Sequence, residues 1–289
     1  MIRDTIAIQD GQFLPYHQIS VSAEDRAVYF GDGIYEVVRL YGGRFDALHE
    51  HMDRLYRSAE HISLTDLPDR NDLRAMLEEL VRRNQLSEDG MLYVQFSRGI
   101  APRVHRFPGE AVPASWFAYI HPLKRPVDIM YQGESAVLVQ DIRWLRCDIK
   151  SLNLLPNVLA SEEAAKAGCR EAILYRDESH VTEGASSNVF IVKDGVLRTH
   201  PANHLILNGI TRQRVIQLAE ELGVRVEEQV FGVSELLEAD EVFRTSTICE
   251  ICPVTAIGDH IIGHGVPGAI TRRLQEAFER VVTAGRTTV

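Results

Sequence analysis

At 289 residues the chain is long enough for two compact domains or one large one, and 45% hydrophobic with 25% charged residues is ordinary globular composition. A formal net charge of -10 and an estimated pI near 5.6 leave no electrostatic footprint for nucleic acid or for an anionic membrane surface. No apolar run approaches the ~20 residues that span a bilayer. The opening stretch "MIRDTIAIQDGQ" lacks a signal-peptide core, so a cytoplasmic protein is expected. Four cysteines (Cys147, Cys169, Cys249, Cys252) are too few for a disulfide framework in a chain of this size.

In chain order, "YEVVRLYGGRFDAL" predicts a hairpin, with Gly42-Gly43 at a turn that needs positive φ. "LHEHMDRLYRSAEHI" spaces Leu48, Met52, Leu55, Ala59 and Ile62 as one helix face. "RNDLRAMLEELVRRNQ" predicts a second helix, followed by the strand "MLYVQFSRG". Pro122 and Pro126 in "HPLKRPVD" mark a linker. Beyond it come the strand "SAVLVQD", a helix from about Pro156 to Ala167 and the strand "EAILYR". Asp194-Gly195 signals another hairpin. "TRQRVIQLAEELG" is an amphipathic helix closed by Gly223, "DEVFRTST" a buried strand, and the last helix spans roughly Ala269 to Val282. The expected fold class is α/β (α+β) in two domains. A smaller N-terminal domain covers 1–120, a linker 121–133, and a larger C-terminal domain 134–289.

Several motif matches carry little weight. Gly263-x-Gly265-x-x-Gly268 contains Pro267 and lies too near the C-terminus to open a dinucleotide-binding unit, so it reads as a turn. Cys249-x-x-Cys252 lacks a second pair for zinc and a thioredoxin-like frame. His49-Glu50-His51 lacks the i, i+4 spacing of a zinc helix and reads as helix surface. No metal-ligand pattern, GxSxG elbow or phosphate-binding GxxxxGK[ST] loop is found in the sequence.

More is carried by "RWLRCDIKSLN", where Lys150 stands among apolar neighbours with Arg143 and Arg146 just upstream. Desolvation and nearby positive charge both lower a lysine pKa and make the amine a nucleophile for Schiff-base chemistry. "LNGITRQRV" sets Gly209, Ile210 and Thr211 at a helix start, where free N–H groups attract a phosphate. "TST", Thr245 to Thr247, supplies hydroxyls at a strand end. Arg54, opposite Met52 and Leu55 on its helix, reads alone as a solvated arginine. An activated lysine together with a phosphate cradle points to pyridoxal 5′-phosphate (PLP). Glu183, in the otherwise uncharged "VTEGASSN", is the candidate acid for the pyridine nitrogen.

At these residues the chain resembles the fold-type IV PLP-dependent aminotransferases, and within them the bacterial D-amino-acid (D-alanine) transaminases. The likeness is collinear through "SAEDRAVYFGDGIYEVVRLYGG", "EHMDRLYRSAEHI", "RGIAPRVHRFP", "DIRWLRCDIKSLNLLPNVLA", "VTEGASSNVF", "LNGITR" and "TSTICEICPV". It implies Lys150 as the Schiff-base lysine and Glu183 as the acid at the pyridine nitrogen. Arg54, the Ile210 and Thr211 amides and Thr247 match the phosphate cradle, with Ser186 and Ser246 as supporting hydroxyls. Tyr35 matches the tyrosine on the substrate side. Arg103 and His105 match a carboxylate trap delivered by the neighbouring subunit of a homodimer. The implied substrates are D-amino acids and 2-oxo acids. Ala185, where serine is common, puts one hydroxyl contact in doubt, and Cys249 and Cys252 fall outside the family pattern. Branched-chain and (R)-amine transaminases and aminodeoxychorismate lyase share the fold, but the Arg-x-His pair argues against them. From a different class, a non-catalytic or redox module using Cys249 and Cys252 is the alternative.

Overall fold

The structure, a computed structural model, describes residues 5–109 and 112–284. The chain divides into two units, and the first joins the chain up to Lys124 with Ile149–Asn153. Its strands are β1 (Ile6–Gln9), β2 (Gln12–Pro15), β3 (Gly33–Tyr41), β4 (Arg44–Phe45), β5 (Gly90–Ser97) and β6 (Ser115–Pro122). They form one sheet in the order β2-β1-β6-β5-β3-β4. Its helices are α1 (Arg26–Phe30), α2 (Leu48–His61) and α3 (Arg70–Arg83).

Period-2 alternation gives this sheet two chemically distinct faces. Ile34, Val38 and Leu40 of β3, with Leu92, Val94 and Phe96 of β5, meet Leu55 and Ala59 of α2 and Leu73, Leu77 and Leu80 of α3 in one buried core. The opposite face carries half-buried rings. Tyr35, Tyr93 and Tyr119 stack in succession at centroid distances of 5.7 and 5.3 Å, and His121 follows at 6.2 Å. The Gly42-Gly43 turn forms with φ of 55° and 74°, pairing Tyr41 with Arg44.

The second unit comprises Arg125–Asp148 and Leu154 onward. Its strands are β7 (Glu134–Gln140), β8 (Glu171–Asp177), β9 (His180–Gly184), β10 (Asn188–Lys193), β11 (Val196–Thr199), β12 (Val226–Glu228), β13 (Glu241–Ser246), β14 (Glu250–Ile257) and β15 (His260–Ile261). They run in the order β12-β11-β10-β13-β14-β7-β8-β9, with β15 beside β14. The helices are α4 (Val127–Gln132), α5 (Leu155–Lys166), α6 (Ile210–Glu221), α7 (Val233–Leu237) and α8 (Ala269–Ala284). The β7–β8 pair is parallel, and α5 makes the crossover, setting Ala160 and Ala164 on Ala172 and Leu174. Val189, Ile191, Val242 and Val254 share a second buried cluster with Phe231 and Leu236. The sum is a mixed helix-and-sheet chain. No helix among the described residues is long and apolar enough to cross a membrane.

Two sequence expectations need correcting here. The stretch 121–133 is largely structured, since β6 runs to Pro122 and α4 occupies Val127–Gln132. Ile149–Asn153, assigned from sequence to the C-terminal domain, belongs to the first unit. The cause is backbone pairing: Tyr35 N–H donates to Lys150 O at 3.1 Å, and Leu152 N–H to Gly33 O at 3.0 Å. Ile149 adds its side chain to the first core.

Candidate active site

In the first unit the site is built on β3 and the returning segment 149–153. Pairing with β3 fixes the backbone of Lys150, whose N–H also donates to Ser58 Oγ at 3.3 Å. The Lys150 amine stands 4.2 Å from the centre of the Tyr35 ring, a cation–π contact. Lys150 is only partly buried. Arg143 and Arg146, just upstream in sequence, are each held by a carboxylate of the second unit. Arg146 takes Asp148 at 3.0 Å, and Arg143 takes Asp141 at 2.8 Å.

Glu36, next to Tyr35 on β3, faces the helices. Arg54 Nε donates to Glu36 Oε1 at 2.7 Å and Nη2 to Oε2 at 2.9 Å, while His51 Nδ1 bonds Oε2 at 2.8 Å. Burial pushes the Glu36 carboxyl up, but Arg54 and His51 more than reverse this and hold it well below the usual carboxylate range. Two sequence readings are thereby overturned. Arg54 is buried rather than solvated, and His51 of the His-Glu-His stretch is buried rather than on the helix surface. The apolar spacing of α2 left both residues on its outer side, and only the carboxylate from β3 draws them in.

Arg103 and His105 lie on the loop after β5, both exposed. Arg103 stands over the rings of Tyr29 and Phe30 at 5.9 and 5.5 Å, and the His105 ring is 5.2 Å from Phe30. Arg26 anchors the loop, donating to Val104 O at 2.7 Å.

In the second unit, Glu183 of β9 is buried with three partners. Arg143 Nη1 donates to Oε1 at 2.5 Å, Asn188 Nδ2 to Oε2 at 2.9 Å and the Leu207 N–H to Oε2 at 3.1 Å. Asp141 fixes Arg143 through Nε at 2.9 Å and Nη2 at 2.8 Å, and Thr182 Oγ1 donates to Asp141 at 2.8 Å. Burial pushes the Glu183 carboxyl up to about 7, although Arg143 and the Leu207 amide pull the other way. Sequence reasoning singled out Glu183 and missed this scaffold. Arg143 was visible as a charge, but its carboxylate partner lies 40 residues away.

Ile210 and Thr211 open α6 behind Gly209, and no side chain caps the helix. Their amides therefore keep the N-terminal donors and the positive end of the dipole for an anion. Ser246 and Thr247 stand at the end of β13. The Ser246 hydroxyl is engaged in its turn, donating to Cys249 Sγ at 3.2 Å and accepting from the Cys249 amide. Ser186 is exposed, whereas neighbouring Ser187 is buried on Glu171 at 2.7 Å. Cys249 and Cys252 are buried free thiols. A hydrogen bond from Cys252 brings Cys249 down to about 7 against burial, with help from Arg244.

A Cβ placed on Gly209 would meet Asn188 Oδ1 at 2.2 Å. Gly209→Ala is therefore expected to displace one of the three partners of Glu183, at about 1–3 kcal/mol of overpacking. Urea denaturation of the cofactor-free protein reads this directly, and an unchanged midpoint would contradict the contact.

The sequence pattern of the family described as amino-transferase class IV matches residues 33–257. The chain belongs to the class IV aminotransferases. This aminotransferase is 46% identical over 273 residues to the D-alanine aminotransferase of Bacillus licheniformis, covering 94% of this chain and 95% of that one. Among solved structures, the branched-chain amino acid aminotransferase of Escherichia coli matches with a TM-score of 0.91 at 28% identity, covering 97% and 95% of the two chains. The T.th. branched-chain amino acid aminotransferase, complexed with N-(5′-phosphopyridoxyl)-L-glutamate, matches with a TM-score of 0.89 at 28% identity over 99% and 97%. Family membership makes this aminotransferase an enzyme, and the redox-module alternative loses its ground.

Proposed function

We propose that this aminotransferase is a PLP-dependent D-amino-acid transaminase, moving the amino group between D-alanine (and other D-amino acids) and 2-oxoglutarate to give pyruvate and D-glutamate. The observation that carries the substrate class is the contrast in identity. It is 46% to a D-alanine aminotransferase but 28% to branched-chain enzymes that share the fold. The Arg103-x-His105 pair favours the same reading over the branched-chain alternative.

The donor set fits PLP. The uncapped N-terminus of α6 suits a phosphate dianion, with Thr247 and Ser246 at a strand end as further cradle residues, and the family resemblance adds Arg54. Glu183 is a buried carboxylate already raised by desolvation, which a cationic ring nitrogen opposite it would stabilise. Bound there, PLP supplies an electron sink for charge developing at the substrate Cα. Glu183 keeps the proton on the ring nitrogen, while Arg143 and Asn188 hold its carboxylate in place. Lys150 would anchor the cofactor and then carry the proton between the substrate Cα and the cofactor's C4′, a general acid–base role. Tyr35 lines the substrate side, and Ser186, which is exposed, is the lesser of the two supporting hydroxyls expected near the cofactor.

Stereochemistry follows from two fixed points, the substrate nitrogen and a carboxylate held by Tyr35, Arg103 and His105. With both pinned, exchanging enantiomers swaps hydrogen and side chain, so only one enantiomer presents its hydrogen to Lys150. The expected result is rapid transfer from D-alanine, with L-alanine and L-leucine far slower. Arg103→Leu should raise KM for D-amino acids by about 10–100-fold, the loss of a charge-assisted bond of about 1.5–3 kcal/mol. Faster conversion of L-leucine than of D-alanine would overturn the substrate class.

We further infer a cytoplasmic homodimer, with a C-terminal PLP-binding domain and Arg103 and His105 serving the neighbouring subunit's site. Both side chains are exposed, and α5 presents Leu155, Val158 and Leu159 at 68%, 59% and 49% exposure on one face. Mixing a Lys150→Ala chain with an Arg103→Ala chain should then restore one complete site per heterodimer. No recovery after verified subunit exchange would show that each chain builds its own site.

A further inference from the structure

Arg39 lies on β3 four residues beyond Tyr35, so the two side chains leave the same face of the sheet, about 13 Å apart along the strand. It is only 1% exposed. A guanidinium has five N–H donors and stays charged at any working pH. Of those, Nη2 donates to Leu123 O at 2.9 Å, while Nε and Nη1 have no partner among the described residues. No carboxylate among the described residues pairs with Arg39, and its guanidinium lies 5.6 Å from the centre of the Tyr41 ring.

A second polar group in the same row of the sheet is also unserved. Arg39 pairs with Met91 across β5, and Met91 with His121 across β6, so Arg39 and His121 share one row of the sheet. His121 Nδ1 is also buried without a partner among the described residues. A buried cation lacking an anion is strongly unfavourable, and most buried polar groups are satisfied. Two unfilled guanidinium donors of Arg39, on the face that carries Tyr35 and the Lys150 amine, therefore mark an anion site, and His121 adds an unserved ring nitrogen in the same row.

We propose that Arg39, with His121 two strands away in the same row, is the subsite for the distal carboxylate of a dicarboxylic substrate such as D-glutamate or 2-oxoglutarate. A five-carbon diacid reacting at Lys150 lies between the Tyr35 ring and the guanidinium, and its second carboxylate supplies the missing acceptor. A bidentate arginine–carboxylate pair is the strongest contact available there. D-Alanine has no group to reach it. The subsite rests on the transaminase reading, because that reading places the reacting carbon at Lys150.

The test has a kinetic arm and a binding arm on the holoenzyme. In Arg39→Met the ratio of KM for D-glutamate to KM for D-alanine should rise at least tenfold, with Arg39→Lys recovering part of the loss. By calorimetry, wild type should bind glutarate at least tenfold more tightly than butyrate, and Arg39→Met should erase that preference. Equal losses for both amino acids, or no change in the ratio, would overturn the subsite. So would unchanged glutarate affinity accompanied by weaker dimerisation, which would mean that a second copy supplies the carboxylate. If no D-amino acid reacts at all, the transaminase reading fails, while the glutarate preference still reports on Arg39 by itself.

Discussion

Lys150→Ala is expected to remove steady-state transamination by at least about 10⁴-fold, the upper range for loss of a positioned general acid–base. The amine is held by backbone pairing to β3 and lies 4.2 Å from the Tyr35 ring centre, and the substitution leaves that pairing intact. Folding should be preserved, which separates chemical loss from structural loss. Borohydride treatment of the holoenzyme should leave the pyridoxyl group on the Lys150 peptide, as peptide mapping reads. Recovery of the adduct on Lys124, Lys166 or Lys193 would refute the assignment.

Glu183→Gln is expected to lower kcat by about 10²–10³-fold with the cofactor still bound, the usual loss for one preorganised electrostatic group. A second consequence is visible without turnover. The Glu183 carboxyl is raised from 4.5 to about 7 in the folded chain, by burial first and with Arg143 opposing. Between those values the folded chain keeps a proton that the unfolded chain has released, so stability falls as pH rises through that window. A difference of that size is worth roughly 3 kcal/mol. Cofactor-free wild type should therefore lose about that much stability between pH 5 and pH 8 relative to Glu183→Gln. Parallel stability curves for the two proteins across this range would show that the carboxylate is not desolvated as the structure has it.

Much of the site was legible before the fold. Lys150, Glu183 and the Gly209-Ile210-Thr211 helix start each stand out through residue type against local context. The strands β1, β6 and β14 were not read. β1 is only four residues long, and β14 contains Cys252 and Pro253, which read as motif and breaker rather than strand. Pro253 sits opposite Phe243 in the β13–β14 register, within an otherwise buried strand.

The sequence by itself determined the family and the features that depend on near neighbours. The glycine turns at Gly42-Gly43 and Asp194-Gly195 formed because those residues accept positive φ, and α2, α3 and α6 formed on apolar residues at helical spacing. The tertiary structure alone decided which charges are buried and what neutralises them. Glu36 gathers Arg54 from 18 residues away, and Glu183 gathers Arg143 from 40 residues away. Arg39 and His121 fall in one row of the sheet only because β3, β5 and β6 align in register. Apolar burial repeats with the local period of the chain, whereas a counter-ion is set by whichever strand or helix arrives beside the charge, and spacing along the sequence carries no record of that arrival.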